Sequence, residues 1–147
     1  MMIRGAIRRL SSSAAPRRAR VALVGAGGWS QGWHLPNLNA RDDAEIAAII
    51  DPLPSPTSTF LPMESLDDLS ARYGGVPLYS SIDELLADDA MRHSLDGVLC
   101  ATFHAAHRDI GIKTLEAGLH LLMEKVRDHG FNAPSLSRTR LPPRGSR

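Results

Sequence analysis

The sequence contains a single cysteine, Cys100, among its 147 residues. One thiol cannot form an internal disulfide, which fits a reducing compartment. No apolar run approaches the roughly 20 residues that span a bilayer, so a membrane is not an expected partner. The formal net charge is only +1, and it gives no reason to expect binding to nucleic acid. The six histidines and one cysteine lack metal-ligand spacing, so no metal is expected.

Acidic residues are absent from the start of the chain, because no Asp or Glu precedes Asp42. Arginine, serine and alanine dominate residues 1–19, which we interpret as a basic leader. This composition is typical of a mitochondrial transit peptide. The alternatives are a disordered basic extension and a wrongly assigned start codon. The expected location is therefore the mitochondrial matrix or the cytoplasm.

The length of the chain suits one domain with a sizeable core. An apolar run from Arg20 ends at Gly25, and Gly27 and Gly28 follow it. Glycines after a buried strand allow a tight turn and the close approach of a pyrophosphate to the next helix. A second apolar run ends about twenty residues later in Asp51, where a carboxylate can accept hydrogen bonds from ribose hydroxyls. This layout predicts a dinucleotide site.

The choice between NAD and NADP depends on the charges that follow Asp51. A carboxylate at this point repels a 2′-phosphate. No Arg or Lys lies between Asp51 and Met63 to attract one, although the intervening loop could bring Arg72 near. We therefore expect NAD, with NADP less favoured.

Apolar runs alternate with capped, helix-like segments along the chain. The predicted strands cover 20–25, 45–50, 77–79, 95–101 and 120–124, and the predicted helices cover 33–40, 66–73, 82–87 and 105–117. Such alternation favours an α/β fold with a doubly wound, parallel, Rossmann-like sheet of about five strands, incomplete at its C-terminal end. We assign this domain to residues 20–126 and predict a disordered tail over residues 127–147.

Several further motifs occur in order behind the glycines. They are His34-Leu35-Pro36, Ala48-Ile49-Ile50-Asp51-Pro52, Tyr79-Ser80-Ser81-Ile82-Asp83-Glu84-Leu85-Leu86, Asp96-Gly97-Val98-Leu99-Cys100-Ala101-Thr102, His107, and Glu116-Ala117-Gly118-Leu119-His120-Leu121-Leu122-Met123-Glu124-Lys125. With these motifs the chain resembles the N-terminal domain of the Gfo/Idh/MocA oxidoreductases over roughly residues 20–125. The resemblance implies a Rossmann domain that binds NAD or NADP. It also implies hydride transfer at a carbinol carbon of a sugar or polyol.

The same resemblance implies roles for individual residues. Lys125 would be the catalytic residue, facing the nicotinamide ribose and the reacting hydroxyl, where its charge stabilises a developing alkoxide. Thr102 and His107 would lie near the nicotinamide half. The full predicted cofactor-binding set is Gly25, Gly27, Gly28, Trp29, Ser30, Asp51, Thr102, His107, Glu124 and Lys125.

The chain also departs from the family pattern. The family's Glu-Lys-Pro motif becomes Glu124-Lys125-Val126 here, and the matching stops at Val126, before any substrate domain. The expectation is an NAD-binding domain that is inactive alone, acting on a small hydroxylated substrate only if the missing domain is supplied. The alternatives are a non-catalytic nucleotide-binding or partner-pairing module and an unstable truncated gene product. A homo-oligomer is possible, and the sequence leaves the oligomeric state open.

Overall fold

The computed structural model describes residues 17–58 and 62–124 of the chain. Within these ranges, five parallel strands form one sheet in the order β3-β2-β1-β4-β5. The strands are β1 (Ala19–Val24), β2 (Ala44–Ile50), β3 (Leu78–Tyr79), β4 (Gly97–Cys100) and β5 (His120–Met123). The predicted α/β class with about five parallel strands is therefore confirmed.

The helices connect successive strands across the sheet. They comprise a π-helical segment (Ser30–His34), α1 (Leu35–Asn39), α2 (Leu66–Arg72), α3 (Ile82–Ala87), α4 (Asp89–Ser94) and α5 (His104–Glu116). Two expectations were wrong in detail. Helical structure after the glycines begins at Gly28 rather than at residue 33, and α4 was not predicted.

Pro36 explains the unexpected course of the first helix. A proline has no N–H to donate to the preceding turn, and inside an α-helix its ring clashes with a carbonyl one turn earlier. The chain widens into π-helical turns directly before it, where the N–H of Leu35 donates to the carbonyl of Ser30. The helix can therefore start at the glycines and still contain the proline.

The two faces of the sheet carry separate apolar clusters. One cluster packs beneath α3, α4 and α5, and its buried side chains include Val24, Ile50 and Cys100. The other packs beneath α1 and α2 and includes Leu23, Ile49 and Leu99. Adjacent strand residues thus face opposite sides, and both sides of the central strands are buried, as a doubly wound sheet requires.

Parallel pairing brings the carboxyl ends of the strands to one edge of the sheet. The register aligns Val24 with Ile50 on one side and with Cys100 on the other. The predicted site residues that follow these strands therefore converge at this edge. None of the helices within the described ranges combines the length and apolar character needed to cross a bilayer. Lys125, residues 1–16 of the predicted leader and the predicted tail lie outside the described residues.

Candidate functional site

Gly25 makes the sharp turn at the end of β1. Its N–H donates to the carbonyl of Ile50 at 2.8 Å, and its φ of 94° lies in the region that favours glycine. A Cβ at this position would lie 2.9 Å from both the carbonyl oxygen of Ala101 and Cγ2 of Thr102. The fold itself therefore requires glycine here, because the ends of β1 and β4 approach closely.

Gly27 lies in the same turn but in a different environment. Its φ is not positive, and a Cβ built on it would have no heavy atom within 4 Å. Neither backbone strain nor packing within the described chain explains a glycine at this position. A glycine that faces open space in this turn leaves room for a ligand to approach the backbone, as a bound pyrophosphate requires.

The helices differ in how their N-termini are capped. Ser65, Ser81 and Asp88 each accept a backbone N–H with the side chain, at the starts of α2, α3 and α4. The π-helical segment after β1 and helix α5 after β4 have no such side-chain cap. Uncapped N-terminal N–H groups and the helix dipole favour an anion. These two helical segments directly follow β1 and β4, which pair with each other in the sheet.

Asp51 follows β2 and lies beside the glycine turn. Its Oδ2 accepts the N–H of Ala26 at 2.8 Å, and its Oδ1 accepts the N–H of Leu53 at 2.9 Å. Each carboxylate oxygen can accept a second hydrogen bond. The carboxylate therefore fixes the glycine turn to the end of β2 and retains the capacity to accept ribose hydroxyls.

Gln31 is a site residue that the sequence analysis missed. Its amide nitrogen donates to the carbonyls of Ala26 and Glu64, and its Oε1 accepts the N–H of Glu64. These bonds join the glycine turn to the segment before α2. The only sequence signal is an amide side chain one turn after the glycines, and that signal is too general to have identified it.

Thr102 and His107 lie behind the glycine turn, at the carboxyl end of β4. His107 is only 4% exposed, and its Nε2 lies 2.9 Å from the carbonyl oxygen of Thr102. Since a carbonyl only accepts, Nε2 carries the proton. The histidine thus holds the Thr102 backbone in place. Its Nδ1 is also buried and has no hydrogen-bond partner among the described residues.

Ser30 and Trp29 follow the glycines in opposite orientations. Ser30 is fully buried, and its hydroxyl donates to the carbonyl of Gly25. The indole of Trp29 is 62% exposed and stacks on that of Trp33, with ring centroids 6.4 Å apart. Ser30 therefore packs the helix against β1, whereas Trp29 covers the outside of the turn.

Glu124 follows β5 and reaches toward the same helix. Its Oε1 accepts the indole N–H of Trp29 at 3.1 Å and lies 3.0 Å from Nε2 of His34. The structure thus gathers the predicted residues of the described ranges at one edge of the sheet. No group of three or more His, Cys, Asp or Glu side chains in those ranges is arranged to hold a metal ion.

The sequence matches a family model over most of its length. The model describes the Gfo/Idh/MocA oxidoreductases, a family with an NAD-binding Rossmann fold, and it matches residues 19–125. No curated protein matches the sequence significantly.

Solved structures share this fold. The WlbA dehydrogenase from Bordetella pertussis, in complex with NADH and UDP-GlcNAcA, is 29% identical with a TM-score of 0.59, over 76% of this chain and 28% of that chain. A mutant 3-ketoreductase from Actinomadura kijaniata, in complex with TDP-benzene and NADP, is 25% identical with a TM-score of 0.59, over 74% of this chain and 29% of that chain.

A more distant neighbour is scyllo-inositol dehydrogenase from Lactobacillus casei, with bound NAD(H) and scyllo-inositol. It is 19% identical with a TM-score of 0.60, over 74% of this chain and 28% of that chain, and this likeness shows the fold alone. The chain spans less than a third of the length of each of these three proteins.

Proposed function

Because the chain belongs to the Gfo/Idh/MocA family of oxidoreductases and carries their NAD-binding Rossmann domain, we propose that it binds NAD in preference to NADP at the edge formed by the ends of β1, β2 and β4. Within the family's chemistry, this domain would hold the dinucleotide for hydride transfer at a carbinol carbon of a small hydroxylated substrate. Bound NAD supplies the hydride acceptor, and NADH the hydride donor. The chain's own residues bind and orient the dinucleotide.

The observation that carries this proposal is the contrast between the two glycines of the turn. Gly25 is required by its φ and by contacts at 2.9 Å, whereas Gly27 faces open space. The backbone around Gly27 leads into a helix start without a side-chain cap. A diphosphate there would interact with the helix dipole and backbone N–H groups without meeting a side chain at position 27.

The charge around Asp51 supports NAD over NADP. Its carboxylate is held in place by two backbone N–H groups, so it stays at the turn and repels a 2′-phosphate. The cation that sequence analysis considered, Arg72, pairs instead with Glu64 at 2.9 Å. A 2′-phosphate would therefore meet a fixed carboxylate and an arginine that already has an ionic partner.

Turnover needs more than this edge. Hydride transfer requires that substrate and nicotinamide be held in contact in the same site. The chain spans less than a third of the neighbouring oxidoreductases, and the proposed catalytic Lys125 lies outside the described residues. We therefore propose binding by this chain alone, with turnover only where another segment or polypeptide supplies the substrate pocket.

Calorimetric titration of the full chain with NAD and with NADP tests the proposal, together with thermal melting. We expect saturable NAD binding, weaker NADP binding, and a loss of NAD affinity of about tenfold or more in Gly27→Val. The melting temperature of Gly27→Val should stay unchanged, because its side chain enters open space. The control Ala90→Val adds bulk at an exposed position of α4 and should bind normally. A cooperative melt without NAD binding would refute the proposal.

A further inference from the structure

Glu124 connects two elements that are distant in sequence. Its N–H donates to the carbonyl of Cys100 at 2.8 Å, which extends the pairing of β5 with β4 by one residue. Its carboxylate meets Trp29 and His34, which lie on the helix that follows β1. One side chain thus joins the end of β5 to the helix that begins at the glycine turn.

The π-helical segment helps both partners to reach the same carboxylate. In an α-helix, with about 3.6 residues per turn, side chains five apart such as Trp29 and His34 lie on different sides. π-Helical hydrogen bonds join residues five apart and bring such side chains closer to one line. The bond from Leu35 to Ser30 shows this spacing directly. The widened turn before Pro36 therefore serves the contact with Glu124.

The contact is partly shielded from water. The His34 side chain is 13% exposed and that of Glu124 is 32% exposed. A partly buried carboxylate loses hydration and is stabilised when a hydrogen-bond donor replaces the lost water. The indole N–H of Trp29 supplies that donor, and Nε2 of His34 lies 3.0 Å from the same carboxylate oxygen. Trp29 and His34 together therefore favour one orientation of the Glu124 side chain.

We propose that Glu124 is a positioning residue that fixes the end of β5 against the helix of the glycine turn. Trp29 acts in this arrangement as the anchor of Glu124 rather than as a contact for the dinucleotide. The proposal rests on the proposed function in one respect, namely that the edge so fixed binds NAD. It predicts that the Trp29–Glu124 contact and NAD affinity change together.

The indole N–H resonances test the contact without any ligand. The chain has two tryptophans, so Trp29→Phe and Trp33→Phe assign the two signals in ¹⁵N-labelled full-length protein. In Glu124→Ala we expect the Trp29 indole signal to move upfield as its hydrogen bond is lost, and the signal of Trp33, whose ring stacks on Trp29, to move less. Glu124→Gln keeps an acceptor oxygen, so its Trp29 signal should lie close to the wild-type position. An unchanged Trp29 signal in Glu124→Ala would overturn the proposal.

NAD titration of the same variants tests the effect on the site. Glu124→Ala and Trp29→Phe should each weaken NAD binding by roughly three- to tenfold, as expected for loss of a hydrogen bond. Because the two variants break the same contact, the double variant should bind NAD no more weakly than the weaker-binding single variant. The control Glu116→Gln, at an exposed position of α5, should bind normally.

The two parts of the test separate the two proposals. If the affinity losses multiply in the double variant, Glu124 and Trp29 act independently and the positioning role is refuted. If the Trp29 signal shifts in Glu124→Ala but the wild-type protein does not bind NAD, the proposed function fails while the structural contact stands. A normal NAD affinity in Glu124→Ala would overturn the positioning role even if the indole signal moved.

Discussion

Gly25 and Gly27 lie two residues apart, yet they have different physical roles. We predict that Gly25→Ala destabilises the protein by about 1–3 kcal/mol, since alanine disfavours a φ of 94°. The new methyl group would also lie 2.9 Å from the carbonyl oxygen of Ala101. Urea unfolding of the full chain measures this loss, with Gly27→Ala as the matched control. Equal loss of stability in both variants would contradict the assignment of separate roles.

Sequence spacing predicted which residues gather at the site but not their individual contacts. Gly25 and Asp51 could be placed at one edge because each follows a strand of a parallel sheet, whereas Thr102 was assigned to the site by the family resemblance. The bond from His107 to the Thr102 backbone could not be predicted, because it depends on how α5 lies over the end of β4. Gln31 was missed for the same reason, since its partner Glu64 is 33 residues away.

Local sequence signals were most reliable where a cap is formed within one turn. Ser81 precedes the helix predicted over 82–87 and caps α3 by accepting the N–H of Glu84. Helix α4 was missed because its six residues follow α3 after a single intervening residue, Asp88, which serves as its cap. The helix predicted from residue 33 starts too late, because a proline is best tolerated in the first turn of a helix and Pro36 would lie there. Propensity alone does not predict the π-helical turns that accommodate this proline within a longer helix.

The start of α3 carries a carboxylate whose charged form the fold stabilises. The pKa of Glu84 is held below its ordinary 4.5 because two groups of Ser80 donate hydrogen bonds to its carboxylate. The backbone N–H has the larger effect and the hydroxyl the smaller one. The unfolded chain therefore binds this proton more readily than the folded one. The resulting stability is fully present above pH 4.5 and is lost as the pH falls through the folded-state pKa.

Removing the Glu84 charge should therefore change the acid limb of the stability curve. We predict that Glu84→Gln is less stable than wild type at neutral pH, and that the difference shrinks as the pH falls below 4.5. Unfolding midpoints in urea across the acid range measure it. Glu116→Gln, which removes an exposed carboxylate at the end of α5, should show no such convergence. A difference between Glu84→Gln and wild type that is constant with pH would rule out this origin.

At the scale of the molecule, alternation of strands and helices was enough to predict the sheet, because short right-handed crossovers leave few orders for parallel strands. The pairing register of the strands could not be predicted from the sequence. The register between β1 and β2 shifts between Val21 and Ala22, and no residue pattern predicts this irregularity. Strand β5 is only partly buried, although three apolar residues, Leu121 to Met123, follow His120 in it.

Strand β5 lies at the edge of the sheet, and its outer side pairs with no strand among the described residues. Leu121 and Met123 face α5, whereas Leu122 is 63% exposed on the opposite face. An unpaired edge beside an apolar side chain favours pairing with another chain. We therefore predict that the protein self-associates as its concentration rises, and that Leu122→Lys reduces this association.

Sedimentation velocity over a range of concentrations measures the association. Leu122→Lys should leave the free energy of unfolding within about 0.5 kcal/mol of wild type, because the side chain is already in water. Leu115→Lys places the same charge at a 48% exposed apolar position on α5, where no sheet edge is available, and should associate like wild type. If both variants reduce association equally, general surface charge rather than the edge of β5 controls it. If wild type stays monomeric throughout, the exposed edge is insufficient to pair chains, and Leu122 is only a solvated apolar residue.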